Sequence, residues 1–327
     1  MKKLVEAFID HLKEAIDITD KVNLPNKSVQ IDNVLILGMG GSGIGGNIAT
    51  QVLEKEIPVP VLSCKDYTIP AFVSENTLII ASSYSGNTEE TLSALNEADK
   101  KTKNIVCICS GGEIKERAEK NGYGCITIPG GMPPRAAFGY SFPQLFQVFN
   151  SYGLISWDIR FEFTSAIKLL ESERSDIQNL ATKAAHILHD KLPVLYAESG
   201  FEGVCIRFRQ QINENSKKLC WHHVVPEMNH NELVGWKSDA KNLAVVLFRN
   251  DSDLDQNKKR MDLSKEIFSK YNPEIIEIQS KGDNKLQRTL YLIHLCDWIS
   301  VYIADINNTD SVEIEVINYL KGELAKN

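Results

Sequence analysis

The sequence lacks the signatures of several common functional classes. It has no C-x-x-C motif, and no Gly-Lys-Ser/Thr follows a glycine loop, which disfavours a paired-cysteine metal site and Walker-type nucleotide chemistry. No cluster of Lys and Arg stands out, and the net charge is −7. An acidic protein without basic patches is a poor partner for nucleic acids and acidic membrane surfaces. An anionic ligand would therefore need a locally positive site.

Secretion and membrane insertion are also disfavoured. Seven cysteines, an odd number, are scattered along the chain, mostly in apolar runs, which is typical of free thiols in a reducing compartment. The acidic residues Glu6, Asp10 and Glu14 interrupt the apolar core that a signal peptide requires. The apolar stretch 290–306 contains His294 and two aspartates, and we predict a helix buried in protein there. The expected location is cytoplasmic.

What the sequence does contain is a regular alternation of short apolar runs and helical patterns. Its 327 residues, 43% hydrophobic and 24% charged, suit two domains. The alternation predicts an α/β fold of parallel sheets with helices on both faces. Strands are predicted at 34–37, 59–63, 77–81, 105–110, 125–128, 193–197, 243–248 and 275–278. Long helices are predicted at 283–306 and 312–326.

The stretch 159–190 has no Gly or Pro and is predicted to be a helical connector between two halves. We therefore expect an N-terminal domain over 1–155, and the connector with a C-terminal domain over 156–327. The two halves resemble degenerate copies of each other, because strand, turn and helix recur in the same order.

A hydroxyl-rich loop, Ser83-Tyr84-Ser85-Gly86-Asn87-Thr88, lies between the apolar run 78–81 and the helical stretch 89–100. Backbone N–H groups at a helix start and nearby hydroxyls can converge on one phosphate. The alternative is that Thr88 or Asn87 only caps the helix. Capping would explain one such residue, whereas three hydroxyls and a Gly favour phosphate. The corresponding loop of the second half carries Asp251 and Asp253, which would repel a phosphate, so one phosphate site per chain is expected.

A second glycine-rich loop, Gly38-Met39-Gly40-Gly41-Ser42-Gly43, satisfies the dinucleotide pattern G-x-G-x-x-G. The acidic residue that should close the next strand is displaced, because Asp66 comes several residues too late. Close approach of the backbone to a polyhydroxy ligand is the favoured alternative.

Two further side chains are candidates for chemistry. Glu214 lies on the helical stretch 203–218 and shares one face with Arg207 and Gln211, so it is either a solvated carboxylate or a base. Arg135 follows two prolines directly after a strand, which favours a positioned cation over an ordinary surface arginine.

His222, His223, Glu227 and His230 form a cluster that could bind zinc. Their spacing matches no common zinc pattern, and a proline and an asparagine between them predict a loop. Metal binding is therefore the less favoured alternative.

Taken together, these motifs resemble a known family. Gly40-Gly41-Ser42 with residues 83–88 is similar to the signature of the sugar-isomerase (SIS) domain. The blocks 129–135, 211–215 and 226–232 resemble bifunctional phosphoglucose/phosphomannose isomerases, over nearly the whole chain. The resemblance implies two three-layer αβα SIS domains, a homodimer, and no metal or cofactor. It also implies interconversion of glucose 6-phosphate and mannose 6-phosphate with fructose 6-phosphate.

The resemblance further implies roles for individual residues. Glu214 is the base that moves a proton through a cis-enediolate, and Arg135 stabilises that enediolate. His230 opens the sugar ring from the partner subunit, assisted by Lys321. The substrate-binding residues are Gly41, Ser42, Ser83, Ser85 and Thr88.

Some features stay unassigned. His222 and His223 are expected to be loop or dimer contacts, and the Pro-Thr that the family often has before the last helix is replaced around Thr309. Two alternatives to this enzyme are a non-catalytic SIS sensor of sugar phosphates and a metal-dependent phosphosugar isomerase.

Overall fold

A computed structural model of the chain describes residues 1–22, 24, 29–324 and 326. In these residues, nine strands form two separate sheets. The strands are β1 (Asn33–Leu37), β2 (Val61–Cys64), β3 (Thr77–Ser82), β4 (Ile105–Cys109), β5 (Gly124–Thr127), β6 (Leu192–Glu198), β7 (Trp221–Val225), β8 (Leu243–Arg249) and β9 (Glu274–Gln279).

All described strand pairs are parallel. The first sheet has the order β2-β1-β3-β4-β5, and the second has the order β7-β6-β8-β9. When β6, β7, β8 and β9 are matched with β1, β2, β3 and β4, the second sheet repeats the order of the first. The predicted α/β fold with parallel sheets is confirmed, and the two halves share one topology.

The strands alternate with helices. The described helices are α1 (Lys2–Glu6), α2 (Phe8–Thr19), α3 (Gly40–Val52), α4 (Glu89–Ala98), α5 (Gly112–Asn121), α6 (Phe138–Ser151), α7 (Ile159–Ser172), α8 (Arg174–Leu188), α9 (Glu202–Ser216), α10 (Asp255–Phe268), α11 (Lys285–Ile306) and α12 (Glu315–Leu324). Short 3-10 turns cover Pro134–Ala136, Ser199–Phe201, Glu227–His230, Glu232–Trp236 and Ser269–Tyr271.

The chain forms two compact units. The first-sheet unit comprises Glu6–Glu173 and Lys281–Tyr291. The second-sheet unit comprises Met1–Val5, Arg174–Ser280 and the chain from Leu292 onward. The predicted connector is helical as expected, but it consists of two helices, α7 in the first-sheet unit and α8 in the second-sheet unit.

The strands at the centre of each sheet are buried over most of their length. In β1, Val34 to Leu37 are fully buried, and β3 is buried at every position. Continuous apolar runs of this kind are what a parallel sheet needs, because helices cover both of its faces. The carboxyl ends of β1 and β3 are adjacent, since Leu37 lies opposite Ala81, and the loops that follow these strands therefore meet.

One described helix, α11, is long and apolar enough to cross a membrane by length and composition alone. In the structure, 83% of its most apolar window is buried inside the protein. This agrees with the prediction of a helix buried in protein.

Two predictions of local structure were wrong. His222 was expected to be a loop or dimer contact and no strand was predicted around it, but Trp221–Val225 is the edge strand β7. The last helix was expected from residue 312, but it begins at Glu315, because the Asp310 side chain accepts a hydrogen bond from the Val312 amide (2.8 Å) in a preceding turn. Residue 325 of the predicted helix lies outside the described residues.

Candidate active site

The hydroxyl-rich loop lies at the carboxyl end of β3. The Ser83 amide donates to the Ile108 carbonyl (3.0 Å), which fixes the loop to β4. Across the loop, Ser83 Oγ and Thr88 Oγ1 lie 2.8 Å apart. The Thr88 side chain makes no capping hydrogen bond with the described backbone of α4. The capping alternative for Thr88 is therefore not supported, whereas Ser83, Thr88 and the exposed Ser85 stand together before a helix start.

Gly86 makes the tight path of this loop possible. Its φ angle is +71°, and a Cβ atom there would lie 1.8 Å from the Gly111 carbonyl oxygen. The neighbouring Asn87 side chain accepts a hydrogen bond from the Glu113 amide (2.9 Å), which ties the loop to the start of α5. The loop is thus packed against the segment that follows β4, and a side chain at position 86 cannot be accommodated without movement.

The glycine-rich loop after β1 lies beside the hydroxyl-rich loop. The Tyr84 amide donates to Ser42 Oγ (3.2 Å), which places Ser42 next to Ser83. A Cβ at Gly43 would lie 2.3 Å from the Gly38 carbonyl oxygen, so the turn into α3 requires glycine. Close backbone packing thus accounts for part of the glycine pattern.

Arg135 is held against these loops. It lies in the 3-10 turn Pro134–Ala136 and is only 3% exposed, so it is not an ordinary surface arginine. A Cβ at Gly41 would lie 3.3 Å from the Arg135 Cα atom, which shows how closely α3 approaches this turn. The Met132 amide also donates to the Tyr84 hydroxyl (3.1 Å), linking the Arg135 segment to the hydroxyl-rich loop.

The structure therefore gathers one set of predicted site residues at the carboxyl edge of the first sheet. The set consists of Gly41, Ser42, Ser83, Ser85, Thr88 and Arg135. Hydroxyls at a helix start are suited to an anion, and Arg135 is carried on a turn that packs against the same loops.

Glu214 lies in the last turn of α9, in the second-sheet unit. It is partly exposed and lines a cavity of about 580 Å³ together with Lys217, Lys218 and Glu313. The cavity also contacts Ile317 at the start of α12. Its size lies within the range of small-molecule sites.

The predicted common face of Arg207, Gln211 and Glu214 is only partly correct. Arg207 and Gln211 are buried, and both donate to the Asp297 carboxylate on α11, each at 2.7 Å. Burial raises the pKa of Asp297, while Arg207 acts in the opposite direction. The two residues anchor α9 to α11, and Glu214 one turn later faces the cavity. Sequence analysis missed Asp297 as their partner, although an acidic residue within an apolar helix signals a buried partner.

Lys321 lies on α12 and is exposed. It follows Ile317 by four residues, so it shares the face of α12 that lines the Glu214 cavity. Sequence spacing alone did not relate Lys321 to Glu214, because the two residues lie on different helices, α12 and α9.

The histidine cluster is dispersed. His222 lies on β7, where Arg209 contacts its Nδ1 atom at 3.2 Å, and burial lowers the pKa of His222 to about 4. The Nδ1 atom of His223 accepts a hydrogen bond from the Val224 amide (2.8 Å). His230 is exposed on its 3-10 turn and is not among the described residues that line the Glu214 cavity. Among the described residues, no group of three or more His, Cys, Asp or Glu side chains is arranged to hold a metal ion.

Comparison with known proteins assigns both halves. A family model of the SIS domain matches residues 29–129. A model described as the bacterial phospho-glucose isomerase C-terminal SIS domain matches residues 177–324. The C-terminal domain of glucosamine-fructose-6-phosphate aminotransferase from Francisella tularensis has a similar fold, with a TM-score of 0.76 at 16% identity, covering 96% of this chain and 98% of that one. The protein is thus built from two SIS domains.

Two relatives define the family more narrowly. The bifunctional phosphoglucose/phosphomannose isomerase of Caldicellulosiruptor bescii is 38% identical over 97% of this chain and 96% of its own length. The protein of the same name from Aquifex aeolicus is 35% identical over 99% of this chain and 98% of its own length. The chain belongs to the bifunctional phosphoglucose/phosphomannose isomerase family.

Proposed function

We propose that this protein is a metal-independent aldose–ketose isomerase that interconverts glucose 6-phosphate and mannose 6-phosphate with fructose 6-phosphate. The observation that carries the proposal is the family membership, which extends over nearly the whole chain. The anion site at the edge of the first sheet gives the phosphate group of such a substrate a place to bind.

The phosphate would be held by hydroxyls and backbone amides. Ser42, Ser83, Ser85 and Thr88 present hydroxyls next to the start of α4. Neutral donors of this kind bind a phosphate without a permanent positive charge, because the helix start contributes a partial one.

The isomerisation would need a base and an electrophile. Glu214, partly exposed at its cavity, would transfer the proton between C2 and C1 of the open-chain sugar. Arg135, which is always protonated and is held rigidly in its turn, would stabilise the negative charge of the enediolate. Since the enediolate is planar, protonation of C2 on either face gives either epimer, so one site can serve both aldoses.

Ring opening would be assigned to His230 and Lys321. Both side chains are exposed in the single chain. An exposed histidine on a short turn supports the expectation that His230 acts in the site of a partner subunit.

A homodimer is also supported by α12. Within the described chain this helix has no buried residue, and Val316 and Tyr319 are 82% and 70% exposed. Exposed apolar side chains of this size on one helix favour burial against a second copy of the chain.

The test is to follow fructose 6-phosphate formation from each aldose 6-phosphate in excess EDTA. Glu214→Gln should lower kcat by at least about 10³-fold and leave sugar-phosphate binding nearly unchanged, because only the proton transfer is lost. Glu313→Gln is the matched control, since this carboxylate lines the same cavity and has no assigned role. Full activity of Glu214→Gln would remove the proposed base.

The same assay separates the alternatives. Turnover that persists in EDTA supports the isomerase, and turnover that is lost on chelation supports a metal-dependent enzyme. Binding of glucose 6-phosphate without turnover supports a sugar-phosphate sensor.

A further inference from the structure

The second sheet has a loop at the position where the first sheet carries the hydroxyl-rich loop. Strand β8 corresponds to β3. It pairs with β6, the first strand of the second half, as β3 pairs with β1, the first strand of the first half. After β8 the chain reads Asn250-Asp251-Ser252-Asp253-Leu254, which we call the acidic loop. Ligands of open α/β sheets bind at this edge, so the chemistry of the acidic loop indicates what it could bind.

Two carboxyl groups meet at the acidic loop. Asp253 Oδ2 accepts a hydrogen bond from the Asn250 amide (3.1 Å). Glu198, the last residue of β6, accepts from the Leu254 amide (3.1 Å) and from the Asn257 side chain (2.6 Å). The two acids are neighbours at this loop, because Asp253 directly precedes the residue whose amide donates to Glu198. The chain's own acids thus occupy donors that a phosphate would otherwise need.

Further oxygen atoms at this edge are buried and unsatisfied. Within the described residues, Asp253 Oδ1, Asn250 Oδ1 and Ser280 Oγ have no hydrogen-bond partner, and neither does the Asn250 amide nitrogen. The three residues are only 3%, 2% and 4% exposed. Buried polar oxygens without partners are costly, so a structure that retains three of them near each other points to a ligand.

Backbone pairing brings these residues together. Phe248 lies opposite Ile278, and the next pair is Arg249 opposite Gln279. Asn250 and Ser280 follow as neighbours, and the Ser280 amide donates to the Arg249 carbonyl (2.8 Å). Their side chains therefore leave the sheet on the same face. The Asp253 amide also donates to the Asn250 carbonyl (3.1 Å), which is a second link between these two residues.

The cations beside the acidic loop have other partners in the described part of the chain. Lys258 Nζ donates to the Asp251 carbonyl (2.8 Å) and pairs with Asp255 (3.4 Å). Arg249, the arginine nearest in sequence, pairs with Asp262 and Glu277, each at 2.7 Å. Among the described residues, no ion pair of a Lys or Arg involves Glu198 or Asp253. Asp253 is buried and Glu198 is half-buried, and the described Lys and Arg side chains supply no ion-pair partner to either carboxylate.

We propose that the acidic loop, with Glu198 and Ser280, binds one hard divalent cation. Two carboxylates, an amide carbonyl and a hydroxyl form an all-oxygen ligand set, which Ca²⁺, Mg²⁺ and Mn²⁺ prefer over softer metals. The charge of the ion matches that of the two carboxylates. The ion would stabilise the second-sheet unit and take no part in the proposed isomerisation, since none of these residues is assigned to that reaction.

The experiment starts from the full-length protein, treated with EDTA and then freed of chelator. Equilibrium dialysis against Mn²⁺ alone should give one bound ion per chain. Thermal unfolding should shift upward by roughly 5 °C when Ca²⁺, Mg²⁺ or Mn²⁺ is present at a hundredfold excess over its dissociation constant, in a buffer of matched ionic strength.

Asp253→Asn should weaken Mn²⁺ binding at least tenfold, because it removes one of the two charges. Asp251→Asn is the matched control: it is the same change in the same loop, but this carboxylate is exposed and accepts from Gln279 (2.9 Å). Absence of bound Mn²⁺ in the wild-type protein, with unfolding unaffected by all three ions, would overturn the proposal. Equal loss in both variants would also overturn it. Isomerase activity is measured separately, so its failure and the failure of the cation site are distinguishable.

Discussion

Replacing Gly86 by alanine tests whether the hydroxyl-rich loop must keep its exact path to hold the substrate. The φ angle of +71° adds a backbone cost of about 1 kcal/mol for a residue with a Cβ. The larger effect is steric, because the new Cβ would lie 1.8 Å from the Gly111 carbonyl oxygen, where contacts under 3.0 Å essentially never occur. The loop must therefore shift by about 1.2 Å, the difference between these two distances.

Such a shift disturbs both stability and binding. Gly86 donates to the Ser83 carbonyl and accepts from the Ile114 amide, each at 3.0 Å, and each hydrogen bond contributes about 1 kcal/mol. We expect the free energy of unfolding to fall by about 3 kcal/mol. We also expect kcat/KM for glucose 6-phosphate to fall by about 100-fold, which is the usual effect of a 1 Å displacement of a positioning group.

The assays are urea unfolding and fructose 6-phosphate formation. Gly122→Ala provides the matched control, because its φ angle is +72° but no atom lies within 4 Å of the added Cβ. That variant should lose about 1 kcal/mol and keep its kcat/KM. If Gly86→Ala and Gly122→Ala have the same kcat/KM, the contact with Gly111 does not position the loop, and the reasoning is refuted.

Two further predictions concern buried groups in the second-sheet unit. Arg207→Met leaves the buried Asp297 carboxylate without its cation. Urea unfolding should then show a free energy of unfolding lower by about 3–5 kcal/mol, and the double variant Arg207→Met/Asp297→Leu should recover most of this loss. Burial lowers the pKa of His294 from 6.5 to about 3. Between these two pH values the unfolded chain binds a proton that the folded chain does not, so the free energy of unfolding should fall as the pH decreases from 6.5 towards 3. His294→Gln should have a smaller slope of unfolding free energy against pH in that range, and an unchanged slope would contradict the assignment.

The elements around the anion site were predictable because their signals are local. The apolar run before Ser83 is β3, and the glycine-rich loop falls where β1 ends and α3 begins. The two prolines before Arg135 correctly indicated a rigid turn, but they did not indicate that the arginine is buried. Burial depends on the close approach of Gly41, which lies far away in the sequence.

The second-sheet unit was harder to predict because its signals are weaker or not local. β7 begins with Trp221 and His222, and as an edge strand it has only its last two residues buried, so the continuous apolar run of a central strand is missing. Because Arg207 is polar, it was predicted to share an outer face of α9 with Glu214. In the structure, Arg207 instead donates to Asp297 in the core. A pairing between residues 90 positions apart cannot be derived from helical spacing.

Comparison of the two sheets shows which properties of a ligand-binding edge come from the fold and which come from the side chains. Both present the loop after the matched strands β3 and β8 at the same edge. A backbone hydrogen bond from Ser83 to Ile108 joins the loop after β3 to β4, and one from Ser280 to Arg249 joins the chain after β9 to the end of β8. The topology thus supplies a place for a ligand without specifying its charge. In the first sheet, the loop from Ser83 to Thr88 carries hydroxyls and no acidic side chain. In the second, Asp253 and Glu198 accept from the Asn250 and Leu254 amides, so a phosphate would meet two acids that already occupy these donors. The proposals of one phosphate site per chain and of a cation at the duplicated edge both rest on this difference in side chains.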